Sequence, residues 1–410
     1  MANIFEFIGK IVPCKETESF KPYNVQKFDS GWVKTSIRFN VVCNTNRHFL
    51  EVSVLTPPNI NTATIYTYER GEKKEDGTQG EGKNIQVSFA DRLKPEIVSK
   101  VAHFKKFIVD TELPNRRNTL QNAVDKFKEG NITDEEIEKL GIGTLEACEA
   151  ALSTSKKKRH EYIWEYDFIE YLNKFVNNDA IKDMIFKIKG TYELEYNADK
   201  KQWYRKLKPT SIYRCNDNDE AKSYAEFNIV FDKNAVDDSD FEETGKIHIN
   251  GYIGQYLGKP YKAVKYAPTT FNLVTTKGDE KSVKFAKAMA KRFTFPDDYE
   301  GEYRECGVKT AMLDGAQIVE LTEDMLSEAQ REALDMGLCT MDDIRKELDK
   351  PVYGDRVQDI VITGLCAGYT NGSKETILTE DDVKYVRTNF GEIKDEDLEL
   401  PFEEDDDDII

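Results

Sequence analysis

Residues 32–43, WVKTSIRFNVVC, carry Val33, Thr35, Ile37, Phe39 and Val41 at every second position. Side chains alternate between the two faces of an extended strand but rotate about 100° per residue on a helix. This spacing therefore buries one face only if the chain is extended. The same period runs through residues 4–12, 47–55, 62–70 and 83–90, with Pro57-Pro58 and the polar stretch 69–82 as stops. Five short strands with polar turns in about 90 residues predict a small barrel, with 69–82 as an exposed hairpin loop.

Beyond residue 112 the period changes. Residues 115–128, 133–152 and 161–175 read as helices, and Thr133 with Glu136 forms a capping box at one start. Period two then returns at 185–196, 203–207, 211–215, 224–231, 246–257 and 269–274, followed by a helix at 281–293. The remainder mixes strands near 317–321 and 359–365 with helices at 323–336 and 341–348. The expected division is a β-barrel over 1–112, a helical insertion over 113–180, a second β domain over 181–300, a mixed region over 301–394 and a tail over 395–410. The two β blocks are compatible with two copies of one fold, although no residue-level repeat shows it.

The net charge of −18 is unevenly spread. Residues 395–410 hold ten acids and no base, so 66 of the 76 acids face 58 bases in the rest of the chain, a body of −8. A low average charge argues against nucleic acid only when it is uniform. No apolar run is long enough to span a bilayer, and Met1-Ala-Asn-Ile-Phe has neither the basic flank nor the apolar core of a signal peptide. The seven widely spaced cysteines contain no Cys-x-x-Cys, which predicts reduced, packed thiols and a cytoplasmic location.

Catalytic signals are weak. Residues 77–84, GTQGEGKN, have the glycine and lysine spacing of a phosphate loop. They lack the hydroxyl residue for magnesium, and a β pattern follows where a helix is needed. His48, His103, His160 and His248 lie in unrelated contexts, and no Gly-x-Ser-x-Gly elbow occurs. The acids Asp237, Asp238, Asp240, Glu242 and Glu243 sit between strands and read as a solvated loop. No catalytic residue, metal site or cofactor is expected.

The positive signal is the pairing of bases with aromatic rings. Residues 182–214 hold nine bases and four acids, residues 259–292 hold nine bases and two acids, and Lys156-Lys157-Lys158-Arg159 adds a compact basic run. Cations neutralise phosphates and release counterions, and aromatic faces stack on unpaired bases. Tyr and Phe also favour strands, so packing is the more common explanation for any one ring. The expected stacking residues are Trp203, Tyr204, Tyr213, Tyr252, Tyr256 and Tyr261. The expected phosphate contacts are Arg205, Lys206, Lys208, Arg214, Lys259, Lys262 and Lys265. At the C-terminus, LELPFEEDDDDII sets Phe402 before Asp405, Asp406, Asp407 and Asp408 and closes on Ile409-Ile410. Acids beside an apolar pair suit a basic groove with a greasy pocket on a partner.

This tail, together with the N-terminal strands, resembles bacterial and phage single-stranded DNA-binding proteins. It departs from the common bacterial tip, where Pro-Phe is terminal. The resemblance implies a mainly β, α+β chain with OB-like five-stranded barrels, a helical insertion and a disordered acidic C-terminal tail. It also implies sequence-nonspecific protection of single-stranded DNA in a phage-type replication system. The tail would recruit replication or recombination proteins in the host cytoplasm. Two other classes remain open: a metal-dependent nucleic-acid enzyme or its accessory subunit, and an acidic DNA mimic or assembly factor.

Overall fold

The computed structural model describes residues 3–72, 78, 80–197, 202–257, 263–276, 278–318, 321–323, 326–347, 353–379 and 383. The tail, with Phe402, Asp405, Asp406, Asp407, Asp408, Ile409 and Ile410, lies outside them, as do Lys259, Tyr261 and Lys262.

Five strands build a first barrel: β1 (Ile4–Pro13), β2 (Val33–Cys43), β3 (Asn46–Thr56), β4 (Ile185–Asn197) and β5 (Gln202–Arg214). β2 pairs with β1 and β3, while the other edge of β1 pairs with β4 and β4 pairs with β5, all antiparallel. β5 lies against β3, and Lys206 Nζ donates to Ser53 Oγ across that seam at 3.1 Å. The order around the wall is 1-2-3-5-4 and back to 1, the order of an OB fold.

Between β3 and β4 the chain forms α1 (Arg116–Glu129), α2 (Asp134–Leu140), α3 (Leu145–Lys157) and α4 (Glu165–Val176). α4 buries Phe168, Ile169, Leu172 and Phe175 against the barrel, whereas α1 and α3 close a small core of their own around Leu120, Cys148 and Leu152. The expected helix at 133–152 is two helices, because Gly141 takes a left-handed φ of 67° and caps α2. The Thr133–Glu136 capping box is present.

A second barrel repeats the order. Its strands are β6 (Lys222–Phe231), β7 (Lys246–Leu257), β8 (Ala263–Val274), β9 (Arg304–Ile318) and β10 (Tyr353–Leu365). β6 pairs with β7 and β9, β7 with β8, and β9 with β10; β8 meets β10 in parallel at Asn272 and Val361. The helix α5 (Glu280–Ala290) again sits between the third and fourth strands.

The expectation of OB-like barrels in an α+β chain holds, but the strands are shared out differently. Residues 64–69 and 83–88, expected as barrel strands, form a separate two-stranded ribbon packed on a short helix, Pro95–Lys100. The fourth and fifth strands of the first barrel come instead from 185–214, which places a boundary at 181 inside that barrel. The two strands expected at 203–207 and 211–215 are one, Gln202–Arg214, with a bulge between Pro209 and Ser211. Residues 304–318, mostly unassigned from sequence, are the fourth strand of the second barrel.

The barrels are joined through their first strands, which pair antiparallel from Ile4↔Glu226 to Ile8↔Lys222. Beyond residue 8, β1 exchanges β6 for β2 on that edge. Gly9 sits at the exchange, where a Cβ would lie 2.2 Å from the Val42 carbonyl oxygen. One core runs through both units, from Phe5, Phe7 and Phe39 to Phe227, Phe231 and Phe271. The β2–β3 turn reaches the second barrel, where the Asp314 backbone N–H donates to Asn46 Oδ1 at 2.9 Å. Arg205 forms an ion pair with Asp314, which is 2% exposed. His48, fully buried, stacks on Phe7 at 4.0 Å, with Nε2 2.8 Å from Ser223 Oγ. Burial, then the nearby Arg205 charge, push its pKa down to about 4.

Candidate nucleic-acid interface

In OB folds the outer face of the second and third strands, with the loops beside it, is the usual oligonucleotide surface. Ile37, Phe39 and Val41 on β2 and Leu50 and Val52 on β3 point into the core, so the alternate residues point out. The outward cross-strand pairs are Val42–Arg47, Asn40–Phe49, Arg38–Glu51, Ser36–Ser53 and Lys34–Leu55, of which Asn40 and Ser36 are themselves covered. Phe49 is 41% exposed. Phe20, from the β1–β2 loop, lies 6.2 Å from it, centroid to centroid. Arg38 sits over the Phe20 ring at 5.8 Å while its Nε pairs with Glu51 at 2.9 Å. Arg47 and Lys34 make no ion pair among the described residues. Two rings and three cations thus share one open face.

This surface was not found from sequence. A signal for it existed: a solvated strand face is polar, yet the outward set of β3, Arg47, Phe49, Glu51, Ser53 and Leu55, contains two large apolar side chains. No run of bases marks it, because its cations come from separate strands.

The residues expected from sequence fall elsewhere. Trp203 packs against the main core and faces Tyr196 in the ladder, whereas Tyr204 is partly exposed. Arg205 is committed to Asp314 at the barrel junction, so its charge is already compensated. Lys206 lies 3.7 Å from Glu195, and Lys208 lies 3.0 Å from Glu165. Burial opposes the charge on Lys208, but Glu165 and Glu193 outweigh it and hold its pKa above the ordinary lysine value. Alternation on β5 produced the basic, aromatic look of this stretch, and acids on neighbouring elements neutralise much of it.

Tyr213 and Arg214 open onto a cleft of about 480 Å³ between β4, β5 and the start of α1, with Lys187, Lys189 and His103 on its walls. Acids at its base have their own partners: Asp110 takes Arg117 at 2.8 Å, and Glu112 takes Lys158 at 3.3 Å.

The corresponding face of the second barrel is covered. Tyr252, expected to stack, is 7% exposed and packs with Val230, Tyr303 and Val383, with Tyr266 and Leu378 at the margin. Leu378 and Val383 come from beyond Glu375 in the chain, and Tyr299 Oη donates to the Tyr303 carbonyl at 2.6 Å. Further along, His248 is 2.7 Å from Asn272 Oδ1 and 3.3 Å from Asp240 Oδ2, which ties part of the acidic loop to the barrel. Tyr256 and Lys265 occupy positions on β7 and β8, but their side chains are outside the described residues.

Among the described residues no cluster of three or more His, Cys, Asp or Glu is arranged to hold a metal ion, and no helix is long and apolar enough to cross a membrane. All seven cysteines are free, five of them buried. No known protein family and no curated protein matches the sequence. Among solved structures, a deletion mutant of the single-stranded DNA binding protein from Thermus aquaticus aligns with a TM-score of 0.26 at 6% identity, over 76% of this chain and 86% of that one. At that score the assignment of the barrels rests on their strand order.

Proposed function

We propose that this chain binds single-stranded DNA without base specificity along the outer face of β2 and β3, and that it acts by binding rather than by catalysis. The observation that carries this reading is exposed Phe49 on the third strand of an OB-ordered barrel, with half-buried Phe20 of the β1–β2 connection beside it and Arg38, Arg47 and Lys34 on the same face. Rings of this kind stack on any base, and the cations follow the phosphates. Protection of exposed strands in a phage-type replication system, in the host cytoplasm, fits such a surface. The acidic residues 395–410 then serve to recruit replication or recombination proteins. Removing them is expected to tighten DNA binding at low salt, because a tethered polyanion competes for the same cations.

Fluorescence titration with oligo-dT over a salt series, with duplex and metal-dependent cleavage as controls, tests the reading. Binding with a log–log slope of about −0.7 per neutralised phosphate supports it. Salt-independent binding, preference for duplex, or cleavage on adding a divalent metal contradicts it.

A further inference from the structure

The ribbon of Thr64–Glu69 and Lys83–Ser88 has no place in either barrel wall. Its inner face is accounted for: Ile65 and Val87 pack with Val101 and Ile163 in a separate small core. Its outer face is a different surface. Tyr66, two positions from Tyr68 on the same strand, is 61% exposed, and Phe104 is 72% exposed with its ring 5.6 Å from that of Tyr68. Phe104 does not sit at a loose loop tip. The Ala102 N–H donates to the Tyr68 carbonyl at 2.8 Å, and the Arg70 N–H donates to the Lys100 carbonyl at 3.0 Å, so the 100–104 segment is clamped to the ribbon. Burial does not explain a phenyl ring fixed so far into water.

The cations beside these rings are Arg70, Lys100 and Lys105, with the exposed acids Glu72, Glu81 and Glu96 on the neighbouring turns. Arg70, Lys100 and Lys105 are exposed and make no ion pair among the described residues. The ribbon's Glu69 is already taken by Lys83 at 3.3 Å. His103, next to Phe104, lines the cleft that also holds Lys187 and Arg214. Lys187 makes no ion pair among the described residues, and Arg214, 3.9 Å from Asp217, has no hydrogen-bond partner for its buried Nε among them.

From this arrangement we infer that the Tyr66–Tyr68–Phe104 row is a second stacking platform for single-stranded nucleic acid, with the strand's phosphates guided by Arg70, Lys100 and Lys105 toward the cleft. Unpaired bases supply flat faces for the rings, and a polyanion supplies the charge that three unpaired cations lack. The inference rests on the proposed strand binding at β2 and β3 and extends its footprint beyond one barrel.

A single OB fold covers about 4–16 nucleotides. The full chain is titrated with oligo-dT of about 8 and about 30 nucleotides, using wild type, Phe104→Ala, Tyr66→Ala and Phe49→Ala. On the long strand each platform substitution is expected to weaken binding by about 5- to 150-fold. On the short one it is expected to change binding by less than about twofold, because the short strand occupies the barrel face alone. Phe49→Ala is expected to weaken both. Unchanged long-strand binding by the platform variants, with Phe49→Ala still defective, overturns the platform and leaves the barrel site standing. Equal losses on both lengths overturn the idea of an extension. Failure of wild type to bind either strand removes the barrel reading itself. Phe104 and Tyr66 are exposed, so neither substitution threatens the fold.

Discussion

The two barrels share a strand order, a helix position and one continuous core, yet they differ where binding is at stake. On the first, Phe49 is exposed between Arg38 and Arg47, with half-buried Phe20 beside it. On the second, Tyr252 lies beneath Val383 and beside Tyr303. The repeated backbone determines where such a surface lies; whether it is available depends on a few side chains from the segment after the last strand. A second contrast separates the units. Residues 57–164 intervene between β3 and α4, whereas only 275–279 intervene between β8 and α5. The longer connection gives the first unit the ribbon and the helical insertion.

The largest expected effect strikes the junction that holds the two units together. Arg205→Ala removes the guanidinium paired with buried Asp314, a loss of up to about 3–5 kcal/mol of stability. Urea unfolding should show a lower midpoint, and the folded fraction should bind oligo-dT normally. Full stability with weakened binding would return Arg205 to the role of phosphate ligand and blur the distinction between junction and surface.

The junction also carries a pH dependence. In the folded chain His48 has a pKa of about 4, held there by burial first and Arg205 second, against an ordinary 6.5. Below pH 6.5 the unfolded chain takes up a proton that the folded chain refuses. The contribution is fully present above that pH and is lost as pH falls toward 4, by up to roughly 3 kcal/mol. Urea titrations across this range should show the decline, and His48→Gln should flatten it. An identical decline in the variant would assign acid sensitivity to other groups.

Smaller effects are expected at the open face. Arg47→Ala and Lys34→Ala should each shift the log–log salt slope by about 0.7 toward zero if each contacts one phosphate. The same change at Lys246, which on the second barrel is paired with Asp359 at 2.7 Å, should leave the slope alone. Equal slopes for all three variants would mean that the faces do not differ in use.

Much of the architecture was legible because period two is a strong signal over long strands. Residues 246–257 were read with the bounds they have in the structure. β9 is hard to read because its inward set, Cys306, Val308, Thr310, Met312 and Asp314, mixes polar with apolar residues while Ala311 and Leu313 sit on the other face, so the hydrophobic contrast is weak. Periodicity identifies a strand but not its partner, so residues 64–69 and 83–88 were placed in a barrel that they do not enter. The binding residues were harder still. Arg205 and Lys208 look free in one dimension, and their partners Asp314 and Glu165 lie far off in sequence. Tyr252 reads as a surface ring until a segment about 130 residues later is seen to cover it.

The most direct test sets one ring from each barrel against the other in the same titration. Phe49→Ala and Tyr252→Ala are prepared in the full chain, and oligo-dT affinity is measured beside urea stability. Phe49→Ala should weaken binding by about 1–3 kcal/mol and leave stability nearly intact. Tyr252→Ala should lower stability by about 3 kcal/mol and leave the affinity of the folded protein within about twofold of wild type. The contrary result, a Tyr252→Ala protein that folds well and binds poorly while Phe49→Ala binds normally, would place the strand on the second barrel and contradict the account.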